Sequence, residues 1–321
     1  MKLLFFADRL PPLTGGVEMH ARYFLEHFPV QEIVKKGMPT EEGDILFFNS
    51  GRWIEELRIL RKRFPKAKFV YRTGGNEILK APLEKKVISN HKLRQKFWAQ
   101  EINATIDCLI TNSKYTEDRL REIGIKVPFK RVVGGVNTHA LKQRRNVNKP
   151  ITLFCSARFV PYKNHHLLIT SFQELLRRGY ELELRLAGDG PLLNKMKNLA
   201  CENLKFLGEL SNEESCREIA QADIYIQLSC NHLTKVPGGS YIHSEGMGRS
   251  FLEAITAGTF IIAGRSGALE EIIYGDRGKI IDFDKVADQM EPYLKKPFEK
   301  NPFTDEYSWK NVFKKYEEIF S

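Results

Sequence analysis

The feature that most constrains the fold of this chain is a recurrence. Short, nearly all-apolar runs are each followed by a polar or glycine-containing loop, and most of those loops lead into a stretch of helical periodicity. The runs are Leu3–Ala7, Asp44–Asn49, Lys68–Arg72, Asp107–Asn112 and Lys130–Val133, and then Ile151–Ser156, Glu181–Ala187, Leu204–Leu207, Ile224–Leu228 and Phe260–Ala263. Such runs lack strict alternation, which marks strands buried on both faces, as in parallel sheets covered by helices. Helical patterns fall between them at Val17–His27, Arg52–Phe64, Tyr115–Ile123, His165–Arg178, Leu192–Cys201, Glu213–Gln221 and Leu269–Tyr274. The polar stretch Lys142–Lys149, closed by Pro150, is the best linker, and after it the pattern restarts. Two βα arrays joined in this way predict an α/β protein of two doubly wound, Rossmann-like domains, 1–145 and 150–304, facing each other across a cleft.

At 321 residues the chain is long enough for two cores. No run of eighteen apolar residues occurs, so no membrane-spanning helix is expected. The apolar start breaks at Asp8 and Arg9 and reads as a first strand, not a secretory signal. The five cysteines are scattered, with no Cys-x-x-Cys pair, and His165-His166 lacks the spacing of helical metal ligands. A reduced cytosolic protein without a metal site is expected. The net charge of +10 is unevenly placed: residues 1–145 hold 28 Lys and Arg against 16 Asp and Glu, leaving 22 against 24 in the remainder. A basic first half points to an acidic partner. Between Lys80 and Gln100, lysines and Arg94 interleave with Leu83, Val87, Ile88, Leu93, Phe97 and Trp98. That mixture fits helices lying on an anionic membrane, and equally a helix covering its own core. No signature of nucleic-acid binding is present.

The chemistry concentrates in Ser244–Gly258 (SEGMGRSFLEAITAG), where Glu245 and Glu253 stand eight positions apart with Gly246 and Gly248 between them. The glycines break a continuous helix. A loop over Gly246–Arg249, an N-cap at Ser250 and a helix over Phe251–Ala257 are expected, with Glu253 in the first turn. A loop entering a helix presents backbone N–H groups and a positive dipole end, which suits a phosphate. Taken alone, the stretch also reads as ordinary helix capping. Near the start, Gly15-Gly16 opens a second strand–loop–helix entry, weaker than a full Gly-x-Gly-x-x-Gly fingerprint.

Several stretches in order resemble the retaining glycosyltransferases of family 4, which have the GT-B fold. Phe154–Asn164 (FCSARFVPYKN) is similar to the family's G-R-x-x-x-x-K-G stretch, with Arg158 and Lys163 at the Arg and Lys. Leu186–Pro191 (LAGDGP) resembles its G-x-G-P turn, Leu204–Gly208 the strand whose backbone, at Leu207, meets the nucleobase, and Glu245 with Glu253 its E-x7-E motif. Gly15-Gly16-Val17-Glu18, Gly134-Gly135-Val136-Asn137 and Trp309 resemble its G-G-x-E, its N-G-V-D and the start of its last helix. The resemblance implies that the helix at about 305–321 packs back on the first, acceptor-side domain. It also implies transfer of a sugar from a UDP- or GDP-sugar with retention and no added metal or cofactor.

In that reading Arg158 and Lys163 hold the donor diphosphate and stabilise its departing charge. Glu253 accepts from ribose hydroxyls and Glu245 from sugar hydroxyls. Gly16, Leu207, Gly248, Arg249 and Ser250 complete the donor contacts. Where the family often has a histidine after a first-domain strand, this chain has Thr73-Gly74-Gly75-Asn76-Glu77, so Asn76 and Glu77 are the acceptor-side candidates. Asn231–His243 lengthens the loop before Glu245 and is expected to act as a lid or to shape acceptor choice. The acceptor implied is a glycan or glycolipid, in cell-envelope polysaccharide or lipopolysaccharide assembly. The implied place is the cytoplasm or the inner face of the cytoplasmic membrane, held by the basic first domain. The rival readings are a non-catalytic nucleotide-sugar-binding subunit, a GT-B epimerase and, less well fitted, a dinucleotide dehydrogenase.

Overall fold

The structure is a computed structural model that describes residues 1–10, 15–49, 51–142, 150–294 and 301–321. Its elements in chain order begin with β1 (Leu3–Phe6), α1 (Gly16–His27), β2 (Glu32–Val34), β3 (Ile45–Phe48), α2 (Leu57–Arg63), β4 (Lys68–Thr73), α3 (Asn76–Lys80), α4 (His91–Thr105), β5 (Cys108–Thr111), α5 (Lys114–Glu122) and β6 (Phe129–Arg131). They continue with β7 (Ile151–Ser156), α6 (His165–Arg177), β8 (Leu182–Ala187), α7 (Leu193–Lys197), β9 (Leu204–Gly208), α8 (Asn212–Gln221) and β10 (Ile224–Gln227). Then come β11 (His232–Val236), β12 (Gly239–His243), α9 (Arg249–Ala257), β13 (Phe260–Gly264), β14 (Gly278–Ile281), α10 (Val286–Met290) and α11 (Trp309–Phe320).

These elements pack as two compact units. The first comprises Met1–Gly134, Leu233–Gly246 and Trp309–Ser321, and the second Gly135–His232 and Met247–Ser308. The packing boundary therefore falls at Gly134–Gly135, ahead of the stretch read as a linker, most of which (143–149) lies outside the described residues. Residues 135–142 pack with the second unit, and Val136 donates its N–H to the Tyr307 carbonyl there at 2.9 Å.

In the first unit six parallel strands run in the order β2-β1-β3-β4-β5-β6. The strands β1 and β3 are buried at every position, as their unbroken apolar runs require. One face of the sheet carries α2 and α4 over a core that includes Trp53, Tyr71, Trp98 and Ile102. The other carries α1 and α11, whose Phe24, Phe313 and Tyr316 surround the buried His20. The last helix thus belongs to the first unit, and Trp309 stacks on Tyr23 there with ring centroids 5.0 Å apart.

The second unit also has six parallel strands, ordered β14-β13-β10-β7-β8-β9. Counted from β7, this is the 3-2-1-4-5-6 order of a dinucleotide-binding fold, with its switch point between β7 and β10. In the first unit the order turns between β1 and β3. Ligands of open α/β sheets bind outside the carboxyl ends of the strands at such points, which in the second unit are formed by the loops that follow β7 and β10.

Within Lys80–Gln100, α3 ends at Lys80 with Ala81 in the left-handed region, and the chain stays irregular until Asn90 caps α4. Burial of Trp98, Ala99 and Ile102 shows α4 covering its own core. The loop Asn231–His243 is largely a two-stranded hairpin, β11–β12. Three strands or helices at the margins (β2, β14 and α10) had too few residues to stand out by periodicity. No helix among the described residues is long and apolar enough to cross a membrane.

Candidate active site

At the switch point of the second unit, β7 ends at Ser156 and the chain turns through Ala157-Arg158-Phe159. Arg158 is exposed. Its loop is seated on the turn that follows β8: Phe159 N–H donates to the Asp189 carbonyl at 2.9 Å, and a Cβ on Gly190 would lie 2.6 Å from the Phe159 carbonyl oxygen. Only glycine allows that approach, which explains the Gly-Asp-Gly-Pro sequence. Lys163 ends a single 3-10 turn, Pro161–Lys163, and is half-buried. Next to it His165 stacks on Phe159 with centroids 4.0 Å apart, and burial, with a smaller contribution from the Lys163 charge, lowers its pKa to about 4. His165 is therefore neutral at pH 7, leaving Arg158 and Lys163 as the cations of this segment.

The helix α9 is buried from Phe251 to Ala257, which makes Glu253, 3 % exposed, a carboxylate inside an apolar helix. Two helix starts supply its polar neighbours. The Asn212 amide at the start of α8 donates to Glu253 Oε1 at 2.8 Å, and Arg249 Nε lies 3.4 Å from the same oxygen. Two expectations for this helix are corrected. Its N-cap is Gly248, at φ 70°, with no side-chain cap, and the helix starts at Arg249, which places Glu253 beyond the first turn. The Ser250 hydroxyl does not cap; it accepts from the Tyr225 hydroxyl at 2.7 Å. Tyr225 also lies 3.2 Å from the Ser156 carbonyl, so one buried phenol joins β7, β10 and α9 at the switch point. Neither Tyr225 nor Asn212 was singled out from the sequence. Tyr225 stands inside an apolar strand run and Asn212 in a helix-start pattern, and both are ordinary there. Leu207 is half-buried on β9.

The structure brings Arg158, Lys163, Leu207, Gly248, Arg249, Ser250 and Glu253 into the second unit. Glu245 it assigns to the first, together with Gly16, Asn76 and Glu77. Gly16 opens α1 after an extended Gly15. Two positions on, the buried Glu18 carboxylate pairs with Arg9. Glu77 accepts from the Thr73 hydroxyl, which in turn accepts from Gly75 N–H at 2.8 Å, so this side chain stabilises the turn after β4. Asn76 begins α3 and donates from Nδ2 to the Ser244 carbonyl at 3.0 Å. A narrow cavity beside it is lined by Gly74, Tyr115, Arg119, Ser244 and Gly246. A cavity of about 500 Å³ beside Pro150, Tyr180 and Asn203 in the second unit lies where strands begin, away from the ligand ends.

Residues 137–307 match the family model described as glycosyl transferases group 1. The chain is 26% identical over 220 residues to a GDP-mannose-dependent monoacylated alpha-(1-6)-phosphatidylinositol monomannoside mannosyltransferase of Corynebacterium glutamicum, covering 63% of this chain and 56% of that protein. It is 25% identical over 266 residues to a GDP-mannose-dependent alpha-(1-6)-phosphatidylinositol monomannoside mannosyltransferase of Mycolicibacterium smegmatis, covering 78% and 66%. The matched region therefore spans between about half and two thirds of these relatives' lengths. Among solved structures, Anabaena Alr3699/HepE in complex with UDP superposes with a TM-score of 0.71 at 15% identity, covering 99% of each chain. Sucrose-phosphate synthase of Thermosynechococcus elongatus superposes with a TM-score of 0.69 at 14% identity, covering 100% and 98%. The fold is GT-B, with two Rossmann-like domains.

Proposed function

The chain belongs to the glycosyl transferases group 1, and we propose that it transfers a sugar from a nucleoside-diphosphate sugar to a glycolipid or glycan, with retention and without added metal or cofactor. The observation that carries this reading is the switch point of the second unit. There a cationic loop (Arg158, Lys163) and a glycine-opened helix start (Gly248) stand in the same unit as a buried carboxylate held by Asn212.

Breaking the bond between the sugar and its diphosphate leaves negative charge on the phosphate oxygens. Arg158 and Lys163 supply positive charge for that leaving group, and the α9 N-terminus adds backbone N–H groups and a dipole. Arg249 sits on the first turn of α9, and it serves the diphosphate when it leaves Glu253. Glu253 then accepts from the two ribose hydroxyls, a charge-assisted pair of bonds. The Leu207 backbone reads the base. Asn76 and Glu77 stand on the acceptor side. GDP-mannose is the first donor to try, because the relatives are named for it, with UDP-sugars second. The acceptor class is a membrane glycolipid, in envelope glycolipid, polysaccharide or lipopolysaccharide synthesis. The basic first unit meets the anionic cytoplasmic face of the membrane, with Lys85, Lys86 and the 98 %-exposed Val87 in the irregular segment before α4.

The test is donor hydrolysis and calorimetric binding with GDP-mannose, other GDP-sugars and UDP-sugars in EDTA. The wild type is expected to bind and slowly hydrolyse one of them, and Lys163→Ala to lose about a hundredfold in turnover. Binding without turnover, even with lipid acceptors present, would favour a non-catalytic sugar-nucleotide-binding subunit. No binding of any nucleotide sugar would overturn the reading.

A further inference from the structure

The cationic loop after β7 and the start of α9 lie far apart in the chain, yet a diphosphate must meet both at once. A row of polar side chains ties them together. Ser156 closes β7 two residues before Arg158, and Ser250 follows Gly248 by two residues. Between them stands Tyr225 of β10, fully buried. Its hydroxyl donates to Ser250 Oγ at 2.7 Å and lies 3.2 Å from the Ser156 carbonyl oxygen and 3.0 Å from Gln227 Oε1. The buried Gln227 in turn donates from Nε2 to Ser229 Oγ at 2.8 Å. On the far side of Ser156 the row continues, because its hydroxyl accepts from Ser215 of α8 at 3.0 Å. The same α8 carries Asn212, the donor to Glu253.

Packing does not ask for a hydroxyl at position 225. The ring stands edge-on to Phe251, with centroids 5.4 Å apart and planes at 90°, and lies 6.3 Å from Phe154. Phenylalanine would make those contacts and would not desolvate a phenol. A phenol has one proton to give, and here it is aimed at groups of β7, β10 and α9. These three elements meet at the switch point, where ligands of such sheets bind. Ser250 is no more required by local structure: Gly248 takes the cap of α9, and serine is a poorer helix former than alanine. The pair therefore serves alignment, fixing where the start of α9 stands relative to the end of β7.

We propose that Tyr225 and Ser250 are positioning residues for the donor diphosphate. With Ser156 they set the register between the loop that carries Arg158 and the N-terminus of α9. This rests on the transferase reading above. In this role the Ser250 hydroxyl acts through the backbone it holds, not by touching the donor, and neither side chain makes or breaks a bond. One phosphate can settle against either part alone, whereas two linked phosphates must meet both. An error of register therefore falls on the diphosphate, and a displacement of about 1 Å at such a site costs as much as a hundredfold in rate.

The experiment compares wild type with Tyr225→Phe, Ser250→Ala and the double variant. Titration calorimetry gives affinities for GDP, GMP, UDP and UMP, a thermal scan gives Tm, and hydrolysis of GDP-mannose and UDP-glucose gives kcat and KM. With the base that the wild type prefers, the diphosphate is expected to bind more tightly than the monophosphate. The ratio of those two affinities is expected to shrink about tenfold in each single variant, and kcat to fall by about as much. The double variant is expected to match the single ones within about threefold, because both changes remove the same hydrogen bond. A purely structural role would lower Tm and weaken both nucleotides alike. An unchanged ratio at a lowered Tm would therefore overturn the inference, as would additive losses in the double variant. Should Tyr225→Phe not fold, Ser250→Ala, at a half-buried position, carries the same test. A wild type that binds none of the four nucleotides and hydrolyses neither nucleotide sugar would instead remove the transferase reading itself.

Discussion

Replacing Glu253 by Gln tests the ligand role proposed for this carboxylate apart from its structural one. The amide is nearly isosteric, and its Oε1 can still accept from Asn212, which now donates at 2.8 Å. What disappears is the charge. A hydrogen bond to a charged acceptor contributes about 1 kcal/mol more than one to a neutral acceptor. Two ribose hydroxyls then lose about 2 kcal/mol between them, or roughly thirtyfold in donor Kd. The fold loses less. Arg249 Nε stands 3.4 Å from the carboxylate and its side chain is 33 % exposed, so solvent screens the pair and its loss costs at most about 1 kcal/mol. For a domain of this size that lowers Tm by about 2–4 °C. The assay is calorimetric titration with the nucleoside diphosphate that the wild type binds, run beside a thermal scan. Affinity unchanged within threefold would refute the ribose assignment. A Tm fall of about 8 °C or more with unchanged affinity would show that Glu253 serves to join α8 to α9 instead.

Two further outcomes follow from the same region. Gly248→Ala forces a non-glycine residue to φ 70° at the start of α9, a strain of about 1–3 kcal/mol; a Tm reduced by several degrees together with weaker donor binding is expected by scanning calorimetry and titration. His165 is neutral in the folded state, with its pKa lowered from 6.5 to about 4. The unfolded chain therefore binds the extra proton first, and stability is held above pH 6.5 and lost as pH falls from there toward 4, by on the order of 3 kcal/mol in full. His165→Phe keeps the stack on Phe159 and leaves no ring nitrogen to protonate, so the difference in urea midpoint between pH 7 and pH 5 should shrink; an unchanged difference would place the acid sensitivity elsewhere.

The sequence by itself determined the two βα arrays, because a strand buried on both faces must be written as an unbroken apolar run, and Leu3–Phe6 and Ile45–Phe48 are such runs. It also offered Arg158, Lys163, Gly248 and Glu253, residue types suited to phosphate and hydroxyl recognition. It did not determine the start of α9. Ser250 is a good N-cap by residue type, yet the Tyr225 hydroxyl from a neighbouring strand claims its side chain, and Gly248 takes the cap. Nor could spacing show that Glu245 and Glu253 part company. Eight residues suggest one site when only local geometry is considered. Which unit holds Glu245 depends on Arg94, Tyr241 and Asn76, the first and last of them more than 150 positions earlier in the chain, and on the fit of Gly238 and Gly246 against backbone. Such contacts have no period and no local signature, so the tertiary structure alone decides them.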